Sequence, residues 1–371
     1  MGSCRLGFLG VVVLVAVTVG ACSSGSKGSG PPPPAGPGHG HTYNVTSYNG
    51  CKGNGTTDCA AGMQAAIGAA QAAGGGTVYF PAGKYLNGSG HALLIGPGAA
   101  VTFTGAGATS TSILARAGSS PTLLSVKADH VTVGNLTFDS SMVHGGKAVV
   151  ADSASFTTIH DSRILGGPGT SWPLRVNGGH GTAKPTQPTY ATGNVVDHLY
   201  LHDTSPGQDD GLDFSFQQNA TISNVQHLGS RLGMYVDRNV TINNYTYTPD
   251  PTLKGGTYGF YITPPSFGIT INDFTSSGYG GKIGPTPRGD QNRDNVNVTI
   301  NHEVMTGKGS PIFIGDVTNL VIRDSTLGMV RLSPKVAARG TIENTSYAQI
   351  THNGPAGVPI AVTTPGDKQT G

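Results

Sequence analysis

Acid–base chemistry in this chain falls mainly to aspartate, because Glu303 and Glu343 are its only glutamates. Asp209, Asp210 and Asp213 crowd one short run, Gly207-Gln208-Asp209-Asp210-Gly211-Leu212-Asp213-Phe214. Paired aspartates on one face can act as acid and base in glycoside hydrolysis when their surroundings drive their proton affinities apart. Asp237 is the next carboxylate along the chain and a candidate second partner. Arg231, Tyr235, Tyr258, Tyr261 and Lys282 follow the acidic run. They suit a different reaction, removal of a proton beside a uronate carboxylate, which needs a base and a group that neutralises developing charge. Asp209, Asp210 and Asp213 could also hold calcium through oxygen ligands, although the run contains no full calcium loop; a turn with capping acids is the plainer alternative. His180, His202, His227 and His302 are further acid or base candidates. Of these His202, at the mouth of the Asp run, is the better functional choice, and His302 sits at a structural turn position. Trp172 is the sole tryptophan, a sugar platform or the cap of a coil.

These residues need a scaffold that sets them in register, and a repeat supplies it. An apolar residue, Thr or a substitute, Val or Ile, any residue, then Asn, Asp or His recurs along the chain. Its centres are Val133, Ile159, Val196, Ile222, Ile242, Ile271, Ile300, Ile322 and Ile342. Such spacing, with loops of uneven length, predicts a solenoid whose Val and Ile stack inside, while the polar residue two places on turns the chain through left-handed backbone. The many copies of one motif favour a parallel β-helix of about ten coils over a β-sandwich. A second strand is expected before each marker, at Leu174-Arg175-Val176, Leu212-Asp213-Phe214, Met234-Tyr235-Val236, Phe260-Tyr261-Ile262, Gly281-Lys282-Ile283, Ile312-Phe313-Ile314 and Val330-Arg331-Leu332. Side chains alternate along a strand. Arg175, Asp213, Tyr235, Tyr261, Lys282, Phe313 and Arg331 are therefore expected in one outward row, a groove wall of acid, rings and bases suited to an extended polysaccharide.

The chain begins with Arg5, an apolar run and Val19-Gly20-Ala21-Cys22, followed by Ser23-Ser24-Gly25-Ser26. This reads as a lipoprotein signal with lipid on Cys22, hence an exported bacterial protein held at the outer membrane face or cell surface. Residues 1–21 are then the signal, 22–42 a Gly/Ser/Pro tether containing His39 and His41, 43–350 the β-helix and 351–371 a flexible tail. Cys51 and Cys59 remain for a disulfide in an exported protein. Charged residues make up 11% and Gly numbers 58 among 371 residues, which excludes a helical bundle, and a net charge of +2 gives no case for nucleic acid. A monomer is expected. Thr57 or Asp58 caps a helix through Met63, Ile67 and Ala70 that ends at Gly74-Gly75-Gly76.

The string YNGCKGNGTTDCAAGMQAAIGAAQAAGGGTVYFPAGKYL resembles the N-terminal segment of the pectate-lyase superfamily. This resemblance implies an all-β, single-stranded right-handed parallel β-helix whose open end is plugged by that helix. The run 208–214 resembles the Asn-Thr-Asp-Gly-Ile-Asp motif of polygalacturonases, family 28 glycoside hydrolases, with Asp210 and Asp213 on its two aspartates. The rhythm agrees over residues 194–307. The chain departs from that family where its Asp-Asp pair falls on Arg231 and Leu232. The Gly-His-Gly becomes Thr257-Tyr258-Gly259, and Arg-Ile-Lys becomes Lys282-Ile283-Gly284. The resemblance implies a polygalacturonase-like hydrolase. Lyases and uronate epimerases on the same fold imply the alternative, with Arg, Lys or Tyr as base and calcium in some. A non-catalytic surface protein that binds polysaccharide is the remaining class.

Overall fold

One column of side chains runs through the protein. Val78, Phe103, Val133, Ile159, Val196, Ile222, Ile242, Ile271, Ile300, Ile322 and Ile342 are successive partners on parallel strands, each from the next coil. All are buried. Full burial of each such side chain contributes roughly 1.5–3 kcal/mol. The structure, a computed structural model, describes residues 40–117, 122–144, 147–168, 172–178, 188–204, 210–251, 258–284, 294–306, 311–357, 359–365 and 368–369. Its coils form a single-stranded parallel β-helix.

Two residues past each marker the backbone is left-handed. Asn135, Asp161, His198, Asn224, Asn244, Asp273, His302, Asp324 and Asn344 all have φ between 44° and 59°. Short polar side chains tolerate this conformation best. The bend lets one strand, such as Gln217–Gly229, run on across a corner of the coil. Stacked amides bridge the coils there, with Asn244 Nδ2 donating to Asn224 Oδ1 at 2.8 Å. His302 sits at such a bend, as its place in the repeat requires.

The sheet that bears the candidate site has eleven parallel strands among the described residues. They include Val149–Asp152, Leu174–Asn177, Asp210–Ser215, Arg231–Tyr235, Tyr258–Thr263, Tyr279–Ile283, Pro311–Ile314 and Met329–Leu332. Leu174, Val176, Leu212, Phe214, Phe260, Ile262, Ile283, Ile312, Ile314, Val330 and Leu332 point inward and are buried, as alternation requires. One strand departs from the sequence reading. The segment after Ser230 turns Leu232 and Met234 inward, and Val236 forms the corner with φ 62°. Its middle residue is therefore Gly233, not Tyr235.

The N-terminal end is closed by the helix Ala60–Ala72, whose Met63, Ile67 and Ala70 are buried. Cys59 is the boundary residue, and Asp58 Oδ1 accepts from Ala60 N–H at 3.0 Å, so Asp58 caps from one place back. Gly74 leaves the helix with φ 82°. Cys51 and Cys59 are joined by a disulfide. At the other end Gln349–His352 and Ile360–Thr363 pair with preceding coils, so the ladder continues past residue 350 into the expected tail. No helix of the described residues is long and apolar enough to cross a membrane.

Candidate functional site

Asp210 opens its strand and is buried, with both oxygens engaged. Arg231 Nε donates to Oδ1 at 2.6 Å and the Tyr235 hydroxyl donates to Oδ2 at 2.6 Å. Arg231 and Tyr235 both come from the next coil, where Arg231 pairs with Asp210 through a bulge. The carboxylate lies over Gly233: a Cβ there would stand 2.4 Å from Asp210 Cγ. Burial, then the charge of Asp210, raises the Tyr235 phenol far above its ordinary range. Burial alone would lower Arg231, but the neighbouring Asp210 and Tyr235 outweigh it and raise it.

Asp213, three residues further on across the bulge, is also buried. It lies 3.2 Å from Arg175 Nε as an ion pair off line for a hydrogen bond, and it accepts from the Ser215 hydroxyl. The outward row in register is Arg175, Asp213, Gly233, Tyr261, Lys282, Phe313 and Arg331. Tyr235 stands two residues along from this row, beside Ser215 and Thr263. Rings and cations alternate along the face. Arg231 lies 4.9 Å and Lys282 5.0 Å from the Tyr261 ring centroid. Lys282 also lies 5.6 Å from Tyr258, and Tyr258 packs edge-on against Phe313 at 5.3 Å, with Arg331 5.4 Å from Phe313. Burial, then the positive charges of Arg231 and Lys335, lowers the proton affinity of Lys282.

Several expected site residues lie elsewhere. Asp237 is fully buried behind the corner at Val236, accepting from Gln217 N–H at 2.7 Å. Burial first, then the charge of Asp213, raises its pKa well above the carboxylate range. It belongs to the interior, so it is not the outward second carboxylate that the sequence suggested. His202 Nε2 is turned to Asp250 Oδ2 at 3.2 Å. Asp209, His180, His39 and Cys22 lie outside the described residues. Among the described residues no three His, Cys, Asp or Glu side chains converge as metal ligands.

His227, one of the acid or base candidates, takes an interior place that the sequence analysis did not state. His227 is buried, with Nε2 2.9 Å from Asp203 Oδ2 and Nδ1 2.7 Å from the Tyr245 hydroxyl. A Cβ on Gly211 would stand 2.2 Å from that Asp203 oxygen, so the chain of polar groups lies directly under the Asp210 strand. Counting alternation from the bend at Asn224 puts Val225 and His227 inward, and that count was the available signal. Lys147, 5.1 Å from the centroid of the Trp172 ring, had no such signal.

Residues 42–261 match the family described as rhamnogalacturonase A/epimerase, pectate lyase-like. The mannuronan C5-epimerase AlgE4 of Azotobacter vinelandii is 60% identical over 43 residues, which are 12% of this chain and 8% of that protein. The chain thus spans less than a tenth of the length of this curated relative. In structure the chain is similar to the AlgE4 A-module of A. vinelandii, with a TM-score of 0.51, 17% identity, and 89% of this chain and 100% of that one covered. It is similar also to the Streptococcus pneumoniae surface protein and adhesin PfbA, with a TM-score of 0.53, 15% identity, and 88% and 100% covered. At these identities the likeness is one of fold.

Proposed function

From the premise that this chain belongs to the rhamnogalacturonase A/epimerase, pectate lyase-like family, we propose that it acts on an extended acidic polysaccharide by removing the proton beside a uronate carboxylate. The observation that carries this reading is the alternation of cations and rings that runs on from the Asp210–Arg231–Tyr235 cluster through Tyr261, Lys282, Tyr258, Phe313 and Arg331. Rings stack on sugar faces, and the cations attract and neutralise sugar carboxylates. Proton removal builds negative charge on the uronate carboxyl, and a guanidinium aimed at it lowers that barrier. Arg231 has this role, with Asp210 and Tyr235 fixing its direction. Lys282 is the base: its lowered proton affinity leaves more of it neutral near physiological pH than an ordinary lysine. Loss of the 4-oxygen afterwards gives a lyase, and reprotonation from the other side gives an epimerase.

Hydrolysis of polygalacturonase type is the second reading, favoured by two buried carboxylates, Asp210 and Asp213, on one strand. Against it, each is already held as an acceptor beside a guanidinium, which suits a carboxylate and not a proton donor. Incubation with polygalacturonate and alginate separates these cases. Unsaturated uronate absorbance indicates a lyase. Solvent deuterium at C5 without cleavage indicates an epimerase. New reducing ends without absorbance would sink proton abstraction in favour of hydrolysis, and binding without turnover would make the protein a binding module.

The same reading places the protein outside the cell, tethered by lipid on Cys22. The run Val19-Gly20-Ala21-Cys22 supports this. Detergent-phase partitioning of the expressed chain should be lost in Cys22→Ala; continued partitioning would mean another anchor.

A further inference from the structure

Upstream of Asp210 the groove carries a cluster that the proposed chemistry leaves unused. Lys147 Nζ lies 5.1 Å and Arg175 Cζ 5.2 Å from the centroid of the Trp172 ring. The Trp172 backbone N–H donates to the Asp210 backbone carbonyl at 3.0 Å, so this residue is fastened to the rung of the reaction site. Ala148 and Val149 N–H donate to the Pro173 carbonyl at 2.9 and 3.0 Å, which fastens the Lys147 rung to Trp172 in turn. Arg175 stands one rung, about 4.8 Å, from its register partner Asp213.

Two cations at one ring repel each other. Arg175 has Asp213 to offset its charge. Lys147 makes no close ion pair among the described residues; Asp213 and Asp152 act on it only through space. Burial and the charge of Arg175 lower its proton affinity in consequence. An anion arriving from solvent here is attracted by two charges and need not displace a carboxylate already on Lys147.

We propose that Lys147, Trp172 and Arg175 form a carboxylate-binding subsite for the sugar residue next to the one at Asp210, an inference that rests on the acidic-polysaccharide reading of the groove. Trp172 is a positioning residue. Its ring holds both long side chains in place before the ligand arrives, so less rotamer freedom is lost on binding. This role differs from that of a stacking platform, which would hold neutral sugars equally well.

Titration calorimetry with polygalacturonate, alginate and a neutral mannan tests the subsite. Lys147→Gln should weaken binding of the acidic polymers by about tenfold, the loss of one charge-assisted contact, and reduce the salt sensitivity of binding. Lys147→Arg should retain most of the affinity. Trp172→Leu should weaken acidic binding to a similar degree, and its effect should be smaller in the Lys147→Gln background, because only the part that acts through Arg175 is then left. If Trp172→Leu does not fold, Trp172→Phe and the Lys147 pair decide the matter. Wild-type affinity in folded Lys147→Gln overturns the subsite and leaves the acidic-polysaccharide reading standing. Wild-type protein that binds neither acidic polymer overturns both.

Discussion

Asp210 is the residue on which the site turns, and its two hydrogen bonds define its task. It holds Arg231 and Tyr235 in fixed directions. Asp210→Asn keeps the shape but offers the guanidinium a neutral partner, so turnover on an identified substrate should fall about a hundredfold or more, with circular dichroism unchanged and the melting temperature lowered, because the buried Arg231 loses its counter-charge. Unchanged turnover in both Asp210→Asn and Asp213→Asn would move the reaction elsewhere on the groove. Lys282 makes a separate prediction about pH. A base works deprotonated, and burial and neighbouring cations lower the Lys282 value. The rate should therefore rise with pH along a limb below the ordinary lysine range, and that limb should disappear in Lys282→Arg. A limb that survives the substitution would give the base role to another group. The site was partly legible from sequence at this scale. Asp213, Tyr261, Lys282, Phe313 and Arg331 stand in the expected row, because strict alternation fixes where an outward residue goes.

At the scale of the element, the repeat was readable and one register was not. Each marker is apolar at its centre and polar two places on, and the described bends follow that pattern through His198 and His302. The register between residues 231 and 237 was misread for a physical reason. Leu232, Met234 and Val236 are all apolar at spacing two, so either adjacent pair fits the inside of a strand. The corner falls on Val236, a β-branched residue with positive φ that propensity would not choose. That one shift moves Tyr235 off the row and takes Asp237 inside. It also leaves Gly233 under the Asp210 carboxylate. A methyl group at Gly233 would meet Asp210 Cγ at 2.4 Å and its oxygens at 2.5 and 2.7 Å. Gly233→Ala should therefore push the carboxylate aside and cost about a hundredfold in rate, since a shift near 1 Å has that effect. The same substitution should leave circular dichroism unchanged. Full activity in Gly233→Ala would mean that Asp210 need not sit where it does. Ile242→Ala is the contrasting change, on the stacked column away from the outward row; it should cost about 2–5 kcal/mol in denaturant unfolding without a comparable effect on any turnover measured with the folded protein.

For the molecule as a whole, the stacked column that makes the coil stable also admits a few polar side chains, and one of them couples stability to pH. Glu303 follows the bend at His302, where alternation carries it into the core. Its side chain is buried and neither carboxyl oxygen has a hydrogen-bond partner among the described residues. Burial raises its pKa from 4.5 to about 8. The folded protein thus keeps a proton that the unfolded chain gives up above pH 4.5. Its contribution is fully present below the unfolded value, declines as pH rises through the interval and is lost at the folded value near 8. The loss is several kcal/mol, large against the marginal stability of folded domains, about 5–15 kcal/mol. Asp237, whose pKa is also raised by burial, contributes with the same sign. Melting temperatures measured from pH 5 to pH 9 should therefore fall with increasing pH. In Glu303→Gln that slope should become markedly shallower, with Asp237 supplying what remains, even though the buried amide lowers stability by a constant amount. An unaltered slope in Glu303→Gln would show that Glu303 is ionised in the folded protein through a partner supplied by the rest of the chain.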